Sequence, residues 1–203
     1  MKTQYSLLLL LLLLGFTQCK SPAAKPGRIS DEALMDTLQR RTFNYFWEGA
    51  EPNSGLACER IHIDGIYPED DQNVVTTGGS GFGIMAVLAG IDRGYVTREE
   101  GLARMERIVS FLETADRFHG AYPHWWFGDT GRVKPFGQKD NGGDLVETAF
   151  LMQGLLAVHQ YYINGSPAEQ ALAGRIDTLW REVDWNFYCL LYTSPSPRDK
   201  RQS

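Results

Sequence analysis

Two stretches of this chain are apolar almost all the way round a helix, and each is followed by one that is apolar along a single stripe. GFGIMAVLAGIDRG (residues 81–94) and DLVETAFLMQGLLAVHQYYI (144–163) offer almost no polar face to water, so both are expected to be buried. REEGLARMERIVSFLETA (98–115) and the segment from Pro167 through EQALAGRIDTLWREV each keep a polar face and are expected outside. Short connections follow the apolar segments and long ones precede them. This alternation predicts antiparallel helix hairpins, one helix of each pair inside and one outside. A four-helix bundle, whose helices are all amphipathic, fits less well. The expected class is therefore all-α, a helical toroid or solenoid without a strict sequence repeat.

Local signals set the boundaries. Ser30 is placed to cap a first helix, DEALMDTLQRRTFNYFWEGA, whose apolar positions Leu34, Leu38 and Phe46, with Ala33 and Trp47, recur at helical spacing. Gly94 ends the second helix, and Thr97 with Glu100 forms a capping box for the third. Pro167 opens the fifth at its first turn. Residues 61–81 read as loop with a short strand, and 119–143 as an aromatic loop.

The two ends of the chain read differently. Lys2 followed by eight leucines, Leu7–Leu14, is the pattern of an export signal, and the run is too short to span a bilayer. Residues 1–18 are expected to be a signal peptide and Cys19 the lipidated cysteine of a bacterial lipoprotein, with 19–29 as its tether. Gln18 departs from the small residue such a site prefers, which leaves plain secretion open. At the other end, CLLYTSPSPRD (189–199) resembles a translated sequencing adapter, so residues 189–203 are expected to be non-native and the folded domain to occupy 30–188. Of three cysteines, only Cys58 then lies within the domain, which leaves no internal disulfide. A net charge of −5 argues against a broad nucleic-acid surface, and any membrane attachment is expected through the lipid alone.

Three regions have the residues for chemistry. In KDNGGDLVETAF, Asp140, Asp144 and Glu147 crowd the mouth of an apolar helix, and Asp144 and Glu147 share one of its faces. Carboxyl groups that repel one another and lose solvent suit general acid–base work. Acidic residues in a first turn also simply cap helices, and the two readings stand side by side. Glu147 is the residue capping explains least. In HGAYPHWWF, His119, Tyr122, Trp125 and Trp126 offer flat apolar faces with polar edges, suited to stacking on sugars; plugging a core is the competing role. His119 and His124 lack companions at zinc-ligand spacing, so no metal is expected. VVTTGGSGFG precedes a helix but matches neither phosphate-binding glycine pattern, which favours close helix packing or a substrate-facing turn. Arg60, His62, Asp64 and the acidic run at 68–71 are loop residues able to meet a polar ligand.

Four segments, DTLQRRTFNYFWEGAEPNSGLACER, VVTTGGSGFGIMAVLAGIDRG, GAYPHWW and KPFGQKDNGGDLVETAFLMQGLL, closely resemble the bacterial glucoamylase-like family, which includes the β-1,2-glucanases of glycoside hydrolase family 144. Over residues 31–188 the resemblance implies the N-terminal portion of an (α/α)6 toroid and inverting hydrolysis of β-1,2-glucan without metal or cofactor. It implies a catalytic role for Asp140, Asp144 and Glu147, and a place in the sugar cleft for His119, Tyr122, Trp125 and Trp126. Five helices where a full toroid has twelve imply further carboxylates downstream and no activity for this chain alone; the complete protein is expected to be an exported monomer. A non-catalytic surface glycan-binding lipoprotein and a toroid lyase or epimerase are the competing functions.

Overall fold

The computed structural model describes residues 29–189, save Phe136, Lys139 and Asp140. The chain divides into two compact units, 1–36 and 37–203. Within the first, Ser30 Oγ accepts the Ala33 N–H at 3.2 Å and so opens helix α1 (Asp31–Trp47), as its sequence position suggests; residues 37–47 of that helix belong to the second unit.

The second unit is built from helices α2 (Thr77–Asp92), α3 (Arg98–Thr114), α4 (Leu145–Tyr162), α5 (Pro167–Arg181) and α6 (Trp185–Cys189), with strands β1 (Val74–Thr76), β2 (Trp125–Phe127) and β3 (Val133–Lys134). The all-α class holds, since the strands form a single small sheet. Both capping boxes close: Thr97 Oγ1 accepts the Glu100 N–H at 3.1 Å, and Ser166 with Glu169 repeats the device in front of Pro167. Helix α6 has no counterpart in the sequence reading.

Close contacts fix the direction of each helix. A Cβ on Gly81 would lie 2.2 Å from the Phe150 carbonyl oxygen, and one on Gly154 would lie 2.4 Å from the Gly81 oxygen. Nearer the start of both helices, Gly78 meets Glu147. As α2 advances from 78 to 81, α4 advances from 147 to 154, so the two apolar helices run parallel with their backbones nearly touching. Helix α3 turns back on α2, bringing Gly101 against Ile91. Arg98 at the start of α3 binds Glu169 at the start of α5, and further along Arg175 grips Glu113 at 2.7–2.8 Å. The amphipathic pair α3 and α5 therefore also runs parallel, antiparallel to α2 and α4. These are the expected hairpins, α2–α3 and α4–α5, side by side.

Between the layers sit Met105, Ile108 and Leu112 of α3, Leu151, Leu155 and Val158 of α4, and Leu172 and Ile176 of α5, all almost fully buried. Each such side chain contributes about 1.5–3 kcal/mol of burial. Tyr162 is buried among them with its hydroxyl lacking a hydrogen-bond partner among the described residues, and burial pushes its pKa up to about 12 against the opposing pull of Arg98.

Three sequence expectations change. The glycines of TTGGSG lie inside α2, which starts at Thr77 instead of 81; Gly78 leaves room for the Glu147 side chain and Gly81 for the α4 backbone. Trp125 and Trp126 lie on a strand, not in a loop: β1 pairs with β2 and β2 with β3, all antiparallel, matching Val75 to Trp126 and Trp126 to Val133. In α1, Leu34 and Leu38 are exposed, and the buried residue is Phe43, whose ring lies against Gly90. Helical spacing picks out a face but not the neighbour that covers it.

The glycine contacts make a paired prediction. Gly154→Ala forces apart two backbones and should cost about 1–3 kcal/mol or more. Gly174→Ala, exposed in α5 with nothing within 4 Å of the added carbon, should gain about 0.5–1 kcal/mol. Urea unfolding midpoints of the two variants should move in opposite directions.

Candidate functional site

Because α2 and α4 are parallel, their N-termini lie at the same end, and the residues with candidate chemistry gather there. Asp144 is the N-cap of α4, its Oδ1 accepting the N–H groups of Val146 and Glu147 at 2.9 and 3.1 Å. Its other oxygen, Oδ2, accepts from His124 Nδ1 at 2.9 Å. Glu147 does not cap its own helix. Its Oε2 crosses to α2 and accepts the Gly78 N–H at 2.7 Å. Thr76 makes no side-chain cap for α2, so Glu147 supplies from a neighbouring helix the anion that an N-terminus attracts. Gly78 is required there, since a Cβ would sit 2.6 Å from that same oxygen.

The preceding loop is fastened to this end by the backbone. Thr148 Oγ1 accepts the Tyr122 N–H and donates to the Tyr122 oxygen, at 2.9 and 3.2 Å. Asp144 N–H donates to the Tyr122 oxygen at 2.7 Å, and Thr77 N–H to the His124 oxygen at 3.2 Å. His124 thus ties the first turn of α2, through its carbonyl, to the cap of α4, through its ring. Of the two roles set side by side by the sequence, capping is visible in both carboxylates: Asp144 caps its own helix and Glu147 the neighbouring one.

The structure sorts the aromatic candidates. Trp126 is fully buried, with its indole N–H donating to the Asp116 oxygen at 3.1 Å and its ring edge-on to Phe111. Tyr122 is also fully buried against Trp126, and burial drives its phenol pKa well above the usual tyrosine range. The expectation that both line a sugar cleft is corrected: strand alternation turns Trp126 inward, and neither ring has a face open to a ligand. Trp125, its neighbour on the opposite face, is half-buried and lies edge-on to His124 at 5.2 Å. His119 is exposed at a positive φ of 48°, stacked at 3.5 Å on Phe187 and edge-on to Phe118. Asp140 and Cys19 lie outside the described residues.

Comparison with known proteins bears on what this arrangement is for. The chain is 51% identical, over 168 residues, to an exo β-1,2-glucooligosaccharide sophorohydrolase (non-reducing end) of Parabacteroides distasonis. A candidate glucoamylase from Bacteroides caccae superposes with a TM-score of 0.78 at 84% identity, over 79% of this chain. An endo-β-1,2-glucanase from Chitinophaga pinensis, solved with sophorotriose and glucose, gives 0.78 at 63% identity, again over 79%. The chain is a homologue of the β-1,2-glucanases. It spans 22% of the Parabacteroides protein and 39% and 38% of the two solved chains. No family model matches it.

His124 is the site residue that motif reading undervalues. Its spacing in the sequence raises only metal ligation, and among the described residues no group of His, Cys, Asp and Glu is arranged to hold a metal ion. The sequence signal for its real partner, an acidic N-cap at Asp144, becomes visible only once the loop and helix meet. Asp144→Ala removes the N-cap and His124's partner together and should destabilise the protein by about 1–2 kcal/mol. Asp144→Asn, which keeps a capping oxygen, should lose less than half of that in the same thermal melt.

Proposed function

We propose that this chain forms part of a glycoside hydrolase cleaving β-linked glucan, with β-1,2-glucan as substrate. The observation that carries the reading is the pair Asp144 and Glu147, fixed at the adjoining N-termini of two parallel helices within a sequence 51% identical to a β-1,2-glucan-cleaving enzyme. Inverting hydrolysis takes two carboxyl groups about 6.5–9.5 Å apart, one protonating the leaving oxygen and the other activating water. Among the described residues, Glu147 is held by a single backbone N–H, which leaves its second oxygen for this work, while Asp144 is committed to its cap and to His124. The homologous region corresponds to the front of an (α/α)6 toroid. The chain spans 39% and 38% of the two solved relatives, so the 203-residue chain alone is expected not to turn glucan over.

The test is a chimera in which residues 30–188 replace the matching part of the Bacteroides caccae protein. It should release reducing sugar from β-1,2-glucan and not from starch or β-1,3-glucan; release from starch alone would sink the substrate assignment. Glu147→Gln in the chimera should lower the rate roughly 10²–10⁴-fold, the usual contribution of a general acid or base. An unchanged rate would return Glu147 to capping.

Export as a lipoprotein is proposed from residues 1–19. No described helix is long and apolar enough to cross a membrane. Expressed in a bacterial host, the chain should incorporate labelled fatty acid, and Cys19→Ser should abolish the label. An unlabelled wild type would point to plain secretion.

A further inference from the structure

Residues 122–124 are stitched by their backbone to both parallel helices. On the α4 side the Tyr122 oxygen accepts from Asp144 N–H and from Thr148 Oγ1. On the α2 side Thr77 donates twice, its Oγ1 to the Pro123 oxygen and its N–H to the His124 oxygen. The half-buried His124 ring therefore reaches Asp144 Oδ2 from a fixed base.

The cap of α4 does not require that last bond. Asp144 Oδ1 alone accepts the Val146 and Glu147 N–H groups. The terminal torsion of an aspartate is broad, so a carboxylate held by one oxygen can still turn about its Cβ–Cγ bond. The bond from His124 Nδ1 to the second oxygen, 2.9 Å long, fixes the plane of the group.

Together these bonds close a circuit. It runs from the His124 ring to Asp144 Oδ2, and from Asp144 Oδ1 to the Glu147 N–H. Glu147 Oε2 carries it across to the Gly78 N–H, and Thr77 N–H returns it to the His124 oxygen. Both carboxylates are members, and His124 enters twice, by its ring on the α4 side and its carbonyl on the α2 side. A closed ring of bonds resists shear of one helix N-terminus against the other, because no member moves without straining the rest. Inverting hydrolysis uses a narrow range of carboxyl separations, and a misplacement of about 1 Å can lower a rate about 10²-fold.

We propose that His124 is a positioning residue of the hydrolase, setting the plane of Asp144 and its separation from the Glu147 carboxyl through this circuit. The proposal rests on the reading of that pair as the acid–base machinery. His124 acts through Asp144, so its loss shows in kcat and not in KM.

Two substitutions in the chimera separate the hydrogen bond from the ring. His124→Phe keeps a flat ring to pack edge-on against Trp125 but has no donor. His124→Asn loses the ring and keeps an N–H near the Nδ1 position. On β-1,2-glucan, His124→Phe should lower kcat roughly 10–100-fold at unchanged KM, and His124→Asn should recover most of the loss. The same substitutions in the 203-residue chain are read by amide hydrogen exchange. His124→Phe should speed exchange of the Gly78 and Glu147 amides roughly tenfold, His124→Asn should restore protection, and the Leu155 amide should not respond. Should His124→Phe unfold, His124→Leu takes its place with the same expectation. Equal kcat in wild type and His124→Phe would overturn the positioning role and leave the hydrolase standing. So would a raised KM at unchanged kcat, or a loss that His124→Asn does not recover. A wild-type chimera without turnover would overturn the hydrolase instead. Gly78 and Glu147 exchange unmoved by His124→Phe would overturn the circuit whatever the chimera does.

Discussion

The near-contact of the α2 and α4 backbones at Gly81 and Gly154 is the constraint on which the remaining arrangement depends. Two helices without a polar face are stable only if each is covered on most sides, and glycine lets one cover the other at backbone distance. Their close parallel approach brings both positive ends to one place. A parallel pair of N-termini, with a short sheet beside it, is then ready to hold carboxylates.

The two carboxylates there do structural work in the places that the proposed hydrolysis would use. Asp144 satisfies orphan N–H groups of its own helix, and Glu147 satisfies one in the neighbouring helix. Each is thereby positioned by backbone groups that cannot swing away, which gives tighter placement than a salt bridge between long side chains. Charge removal at either position has two consequences, one for stability and one for chemistry. Isosteric amides are needed to separate them.

Much of this was legible in the sequence because periodicity reports burial directly. The alternation of apolar and striped segments anticipates the hairpins, Thr97 and Glu100 anticipate their capping box, and the acidic mouth of α4 anticipates the site. Other features depend on tertiary neighbours and could not be read in the same way. Trp125 and Trp126 are chemically identical in a string of letters, and a two-residue periodicity over three residues is too short to show that one faces solvent and the other the core. The glycines before residue 82 look like a turn because helix propensity disfavours them; the Glu147 side chain that Gly78 admits and the α4 backbone that Gly81 admits are about seventy residues away. The cross-helix bond from Glu147 to Gly78 and the ring of His124 on Asp144 are both products of folding.

The connections between helices have an unequal distribution whose consequence is evolutionary. Short turns, 93–97 and 163–166, join α2 to α3 and α4 to α5 at the end away from the acidic pair. The long segments, 48–73 and 115–144, enter the parallel helices at the end where Asp144, Glu147 and His124 collect. Lengthening a loop that is already long adds little closure entropy, since each doubling costs only about 0.6 kcal/mol. Change can therefore accumulate around the acidic pair while the glycine-locked helices keep their spacing. A lineage built on this frame can vary the surroundings of that pair without rebuilding its interior.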